Sequence, residues 1–257
     1  MPRVAILGSS DALAAHAPAG GGALEVVAGG ADLGVEGADA VVAFDPDAAT
    51  RARLACGPAP AILWLSGAVP APAPADHLRT IVAGAPPAGA PAPWRTVPPP
   101  VADGWFADPA APAPEPGAGH AAWVGPPTER RALYERHFGD AVEIAPDAGP
   151  GSDAAVAVHL SDCPGGGHGA RVALARGRLL VSEPLLPGHG LEAGIDYLAA
   201  TAIDDVRALV ADALRNPVAT ERVRLLGRRK AELFRSSRVI ARLVGDLLTE
   251  LDAVRAR

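Results

Sequence analysis

The sequence predicts an α/β protein of two halves, each a parallel sheet alternating with helices. Three observations carry this: short runs that are apolar on consecutive positions, helical segments between them, and a Pro/Ala/Gly-rich stretch that divides the chain of 257 residues. Consecutive apolar positions suit strands buried on both faces, as in a parallel sheet covered by helices.

In the first half these runs are Val4 to Leu7, Leu24 to Ala28, Ala40 to Phe44, Ala61 to Leu65 and Thr80 to Ala83. Asp47 to Ala55 between them is rich in Ala and Arg and stops at Gly57-Pro58, which reads as a helix. From Ala85 to Gly119 proline, alanine and glycine dominate, a composition that favours extended chain over a packed core. The boundaries this predicts are a first domain over 1–95, a linker over 96–120 in which Trp105-Phe106 docks onto one domain, and a second domain over 121–257.

The second half opens with Ala121 to Gly125 as a strand, Thr128 to Phe138 as a helix capped by Thr128, and Ala141 to Ile144 as a strand. Ala154 to His159 and Arg178 to Ser182 are the next strands, with a helix from Ala170 to Ala175 between them. Val206, Leu209, Val210 and Leu214 lie on one helical face that stops at Asn216-Pro217, and a helix over Ala219 to Phe234 follows. The last helix carries Val239, Ile240, Leu243, Val244, Leu247, Leu248 and Leu251, a stripe read as core first and partner surface second. Two such halves predict a cleft between Rossmann-like domains, with chemistry in the loops after the strands.

Net charge of -6 argues against affinity built on phosphate neutralisation of nucleic acid, although local basic patches stay open. The two cysteines, Cys56 and Cys163, form no CxxC and read as reduced thiols of a cytoplasmic chain. The start MPRVAILGSS lacks signal-peptide features, and no apolar run is long enough for a membrane span.

After the first strand, Gly8-Ser9-Ser10-Asp11 is not GxGxxG, so it is either a plain tight turn or a backbone cradle for an anion. The richer loop is Asp162-Cys163-Pro164-Gly165-Gly166-Gly167-His168-Gly169-Ala170-Arg171. Glycines before a helix start allow close backbone approach to a diphosphate, and Arg171 adds a charge-assisted contact; the bland alternative is flexibility alone. His159, Cys163 and His168 match no zinc spacing, so no metal is expected, and no GxSxG, HExxH or Walker pattern occurs. Past the strand that ends at Ser182, Glu183 either accepts hydrogen bonds from ribose or sugar hydroxyls or caps its own loop, which continues through His189, Gly190 and Leu191.

The order of PPPVADGWF, WVGPPTERR, RVALARGRLLVSEPLLPGHGLEAGIDY and GRRKAELFRSSRVIARLVGDLL resembles the carboxyl-terminal domain of GT-B glycosyltransferases, particularly the glycosyltransferase group 1 and CgeB-like spore-maturation proteins. The resemblance covers Trp94 to the end. It implies a GT-B-like fold of two Rossmann-like domains facing across a cleft, with a nucleoside diphosphate sugar bound mainly by the second and a hydroxyl acceptor mainly by a reduced first. The donor is then a substrate, and no cofactor or metal is expected. Carried over by position, Gly125, Gly165, Gly166, Gly167, Gly169, Arg171, Glu183, His189, Gly190 and Leu191 line the donor cleft. His168, Asp162 and His16 are the catalytic candidates, with Asp11 beside His16. The family commonly carries a Glu pair around the helix that here begins Arg171-Val172. Its absence and the reduced first domain leave a second reading, a catalytically degenerate protein that binds a nucleotide or a partner enzyme as an accessory subunit; a partner subunit or a homodimer stays open.

Overall fold

The computed structural model describes residues 2–19, 25–28, 37–65, 77–82, 93–108, 115, 117, 119–125, 127–138, 144–145, 153–160, 167–185 and 190–256. The chain divides into two compact units, Met1–Gly104 with Leu233–Arg257, and Trp105–Glu232.

The first unit is a parallel sheet of β1 (Arg3–Leu7), β2 (Glu25–Ala28), β3 (Ala40–Phe44), β4 (Ala61–Leu65), β5 (Leu78–Val82) and β6 (Arg95–Thr96), in the order β2-β1-β3-β4-β5-β6. Every residue of β3 and β4 is buried, so both faces are covered. Alternate side chains separate the faces. Val4, Ile6, Val42, Phe44, Ile62, Trp64 and Ile81 build one cluster, and Ala5, Val41, Ala43, Leu63, Leu65 and Val82 build the other with Leu54. Leu54 belongs to α2 (Ala48–Cys56), whose first turn is capped by Asp47 accepting from Thr50 N–H at 2.7 Å. The remaining helix of residues 1–104 among those described is α1 (Ser10–His16), of seven residues.

Among the described residues these two short helices leave much of the sheet's faces to other cover. The cover comes from the end of the chain: α7 (Ser236–Arg255) places Val239, Ile240, Leu243, Val244, Leu247 and Leu251 in the Val4–Trp64 cluster. Its polar edge holds the register, since Arg79 pairs with Glu250 at 3.5 Å, Arg95 pairs with Asp246, and Trp94 Nε1–H donates to Glu250 at 3.1 Å. The terminal helix expected on the second domain therefore packs in the first unit, because its apolar stripe matches the Val4–Trp64 face, which it covers together with Ala12 and Leu13 of α1. The expected linker is also shortened. Arg95–Thr96 extends the first sheet, and buried Val101 exchanges backbone hydrogen bonds with Phe234 and Ser236. Phe106 lies under Arg228 of the second unit, 5.1 Å from its guanidinium.

The second unit repeats the plan. Its strands β7 (Ala121–Trp123), β8 (Ile144–Ala145), β9 (Val156–His159), β10 (Leu179–Ser182) and β11 (Leu198–Ala199) are parallel, in the order β11-β10-β9-β7-β8. One face packs Trp123, Val158 and Val181 against Tyr134 and Phe138 of α3 (Glu129–Phe138) and Val206 and Val210 of α5 (Ile203–Arg215). The alternate residues Ala122, Ala157 and Leu180 are also fully buried, and α4 (His168–Ala175) packs with α6 (Pro217–Ala231) and with β10. Pro217 begins α6, and the expected helical end at Phe234 is a 3₁₀ turn over Glu232–Phe234. Only part of the strand expected over Ala141 to Ile144 falls within the described residues. Among the described residues no helix is long and apolar enough to cross a membrane.

The cover by α7 has a direct test. Leu247 is fully buried, and Leu247→Ala should lower unfolding stability by about 2–5 kcal/mol, read as a shifted urea midpoint.

Candidate functional site

In both sheets the first strand is flanked by the second on one side and the third on the other. That reversal of strand order leaves a crevice beyond the carboxyl ends of the first and third strands, where open α/β sheets bind ligands. In the second unit it lies between the ends of β7 and β9.

Beyond β7 the chain passes Val124 to Gly125, whose φ of 90° is a left-handed conformation that glycine adopts without cost. Thr128 then caps α3, its hydroxyl accepting from Arg131 N–H at 3.1 Å as its residue type predicts. Beyond β9 the chain reaches Gly167, the N-cap of α4, with φ 73°. Gly169 in the first turn of α4 is pressed against the β7 loop: a Cβ there would meet Val124 Cγ1 at 2.4 Å. The start of α4 and the Gly125 turn thus sit against each other at the crevice. First-turn N–H groups of a helix have no acceptor inside it and carry the positive end of its dipole, which suits an anion.

The end of β10, next to β9 in the sheet, supplies a carboxylate. Glu183 follows β10 and is buried at 3% exposure. Its Oε1 accepts from Tyr134 Oη–H at 2.6 Å, from Arg130 Nε–H at 2.8 Å and from Arg130 Nη2–H. Arg130 and Tyr134 are four apart on α3 and so share one face. The Arg130 side chain is 46% exposed, so one flank of its guanidinium is held by Glu183 while much of the side chain stays open to solvent. Glu183 raises the Arg130 pKa above its ordinary value. Burial, followed by the Glu183 hydrogen bond and charge, pushes the Tyr134 phenol up to about 12. Beside this clamp, Ser182 donates its hydroxyl proton to Glu183 O at 2.6 Å, so His159 Nδ1, 3.2 Å from Ser182 Oγ, is the donor in that contact.

The predicted residues divide accordingly. Gly125, Gly167 and Gly169 are brought together, and His168 is the first residue of α4, half-buried. Glu183 is not presented to a ligand as a sugar-binding carboxylate; it holds Arg130 and Tyr134. Arg171 is not presented either. It is fully buried on α4, and desolvation pushes its pKa down to about 10. The reason is packing, since Ala170 to Ala175 are all buried. Gly190 and Leu191 open a turn braced by Glu192 N–H on Asp196 at 2.9 Å, and Leu185 N–H donates to Tyr197 Oη at 3.0 Å. Asp162, Cys163, Gly165, Gly166 and His189 lie outside the described residues. The residue that the motifs do not single out is Arg130.

His16 belongs to the first unit. Its Nδ1–H donates to Pro100 O at 2.8 Å and its ring lies 5.2 Å from Phe44, which fixes the tautomer and makes Nε2 the basic nitrogen. Asp11 is exposed in the first turn of α1, and Ser9 caps that helix by accepting from Ala12 N–H at 3.2 Å. At the equivalent crevice of this sheet, Asp45 directly follows β3 with φ 42°, unusual for a non-glycine residue. Among the described residues no three His, Cys, Asp or Glu side chains group as metal ligands.

Two parallel sheets with interleaved helices define the α/β class expected from the sequence, and the same fold recurs in solved structures. Anabaena Alr3699/HepE in complex with UDP-glucose matches with a TM-score of 0.57 over 97% of this chain and 100% of that chain, at 11% identity. The complex of the same protein with UDP and glucose matches with a TM-score of 0.56 over the same shares, at 9% identity. No family model matches the sequence, and no curated protein is significantly similar to it.

The clamp sets a pH test. Glu183→Gln in a Tyr197→Phe background should move the Tyr134 titration, followed by ultraviolet absorbance, down from about 12 while burial keeps it above the ordinary 10.0. A folded pKa above the unfolded one means that this group stabilises the fold below pH 10 and loses that contribution as pH rises through about 12. An unmoved titration would remove Glu183 as the partner.

Proposed function

We propose that the protein is a glycosyltransferase that passes a sugar from a nucleoside diphosphate sugar to a hydroxyl acceptor, with the donor diphosphate at the crevice of the second sheet. The observation that carries this reading is the meeting of the Gly125 turn and the α4 N-terminus at Gly167–Gly169 beyond β7 and β9, with the Glu183-held guanidinium of Arg130 in the first turn of α3, the helix that follows the Gly125 turn. The fold shared with HepE, solved with UDP-glucose, supports it.

The transfer breaks the bond between the anomeric carbon and the diphosphate oxygen and forms one to the acceptor oxygen, whose proton goes to a base. Negative charge grows on the departing diphosphate. Helix N–H groups and a preoriented guanidinium stabilise that charge without reorganising as it develops. Arg171, buried behind the first turn of α4, adds positive potential rather than a contact. The donor is substrate, and the reading assigns no resident cofactor. For the base, His16 and His168, at the start of α4, are the imidazole candidates, with Asp11 and Asp162 as the carboxylate candidates.

A second reading has its own support. The carboxylate at the end of β10, Glu183, is engaged by Arg130 and Tyr134, and Arg171-Val172 stand where the resembling family commonly has a Glu. That fits a protein that binds the nucleotide and does not turn it over.

Thermal shift against UDP, GDP, ADP, CMP and dTDP and their sugars tests the site, because a ligand of the native state raises Tm by mass action. One diphosphate should raise Tm, and Arg130→Ala should weaken its binding about tenfold or more through loss of a charge-assisted contact. A shift by none of them overturns the donor site. A shift without sugar transfer or donor hydrolysis favours the second reading.

A further inference from the structure

We propose that the outer face of α6 docks the protein on an anionic lipid bilayer. Val218, Arg222, Leu225 and Arg229 follow one another at spacings of four, three and four residues, which places them within about 60° of arc along about 16 Å of helix. All four are exposed, Val218 to 72% and Leu225 to 39%. A helix that buries its other face in the unit has no need of aliphatic side chains here.

The charges of α6 are sorted by direction. Glu221 gives both carboxylate oxygens to Arg224, at 2.6 and 2.7 Å, and Glu232 just beyond the helix accepts from buried Arg228 at 2.8 Å. Lys230 stands 4.0 Å from Asp196. Arg222 and Arg229 make no ion pair among the described residues. In a chain of net charge -6, two unneutralised cations thus alternate with two aliphatic side chains on one outward stripe.

A bilayer surface satisfies both components at once. Arginine heads reach lipid phosphates while Val218 and Leu225 enter the acyl boundary, and arginine stems lie along the apolar zone. A second copy joined face to face would bring arginine against arginine with no exposed acid on the stripe to answer it. Nucleic acid would pair with the arginines but leave the aliphatic residues wet, and the stripe has no aromatic on which a base stacks.

The test is co-sedimentation of the full chain with vesicles of phosphatidylcholine alone and of phosphatidylcholine mixed with phosphatidylglycerol. The protein should pellet with the anionic vesicles at low salt and be released as salt rises. Arg222→Glu with Arg229→Glu, and separately Val218→Ser with Leu225→Ser, should each cut partitioning about tenfold, with Tm unchanged because none of the four is buried. Equal pelleting on both vesicle types, pelleting on neither, or retention by the charge variant overturns the proposal. So does self-association in sedimentation velocity that Leu225→Ser abolishes, which assigns the face to a second copy.

Discussion

Parallel pairing of strands buried on both faces is the constraint from which the rest of this structure follows. A parallel sheet puts every strand's carboxyl end on the same edge, so the loops with freedom to carry chemistry collect there. It also exposes two apolar faces that must be covered. In the first unit that demand recruits α7 from the far end of the sequence, past the whole second unit. The second unit meets it with helices between its own strands. One rule thus accounts for where the site lies and for why the first unit is discontinuous in sequence.

The second constraint is the cost of burying a carboxylate. Glu183 at the end of a buried strand would be unfavourable as an isolated charge, and three donor contacts from Arg130 and Tyr134 offset that cost. Removing Arg130 would leave the buried Glu183 with fewer donors, so its partners act on it together. The clamp spans from β10 to α3, next to the Gly125 turn, and thereby ties the end of one strand to the helix that begins beside the crevice. Its consequence for binding is orientation. A guanidinium held on one flank loses little freedom when its other flank meets an anion.

Much of this was legible in the sequence, and the parts that were not share a physical cause. Consecutive apolar positions such as Ala40 to Phe44 and Ala61 to Leu65 mark doubly buried strands, and Thr128 before an Arg-rich helix marks a cap. The αL glycines at 125 and 167 fall in loops where strand must turn to helix. Local periodicity states that a face is buried, but not against what. The stripe from Val239 to Leu251 therefore announces a core helix without naming its sheet. Glu183 and Arg130 lie 53 residues apart, and no spacing rule joins them. Arg171 is different, because its burial had a sign: the Ala-rich, apolar run from Ala170 to Ala175 leaves α4 no polar face on which to carry an exposed cation.

The exchange of roles between Arg171 and Arg130 changes what the crevice can do. A fully buried guanidinium contributes a field, which reaches an anion whatever its orientation. A half-exposed one contributes hydrogen bonds of fixed direction and so discriminates between anions by shape. On the proposed reading, affinity for a diphosphate and selectivity among diphosphates would then rest on different residues, one on α4 and one on α3. Neither supplies a base. On the glycosyltransferase reading the acceptor's proton leaves through a group outside the Arg130–Tyr134–Glu183 clamp, since Glu183 Oε1 already accepts from both partners and Tyr134 stays a neutral phenol far above neutral pH. Binding and turnover are therefore separate questions for this fold: on the proposed reading the clamp orients a guanidinium toward a diphosphate, and the base has to come from a residue outside it.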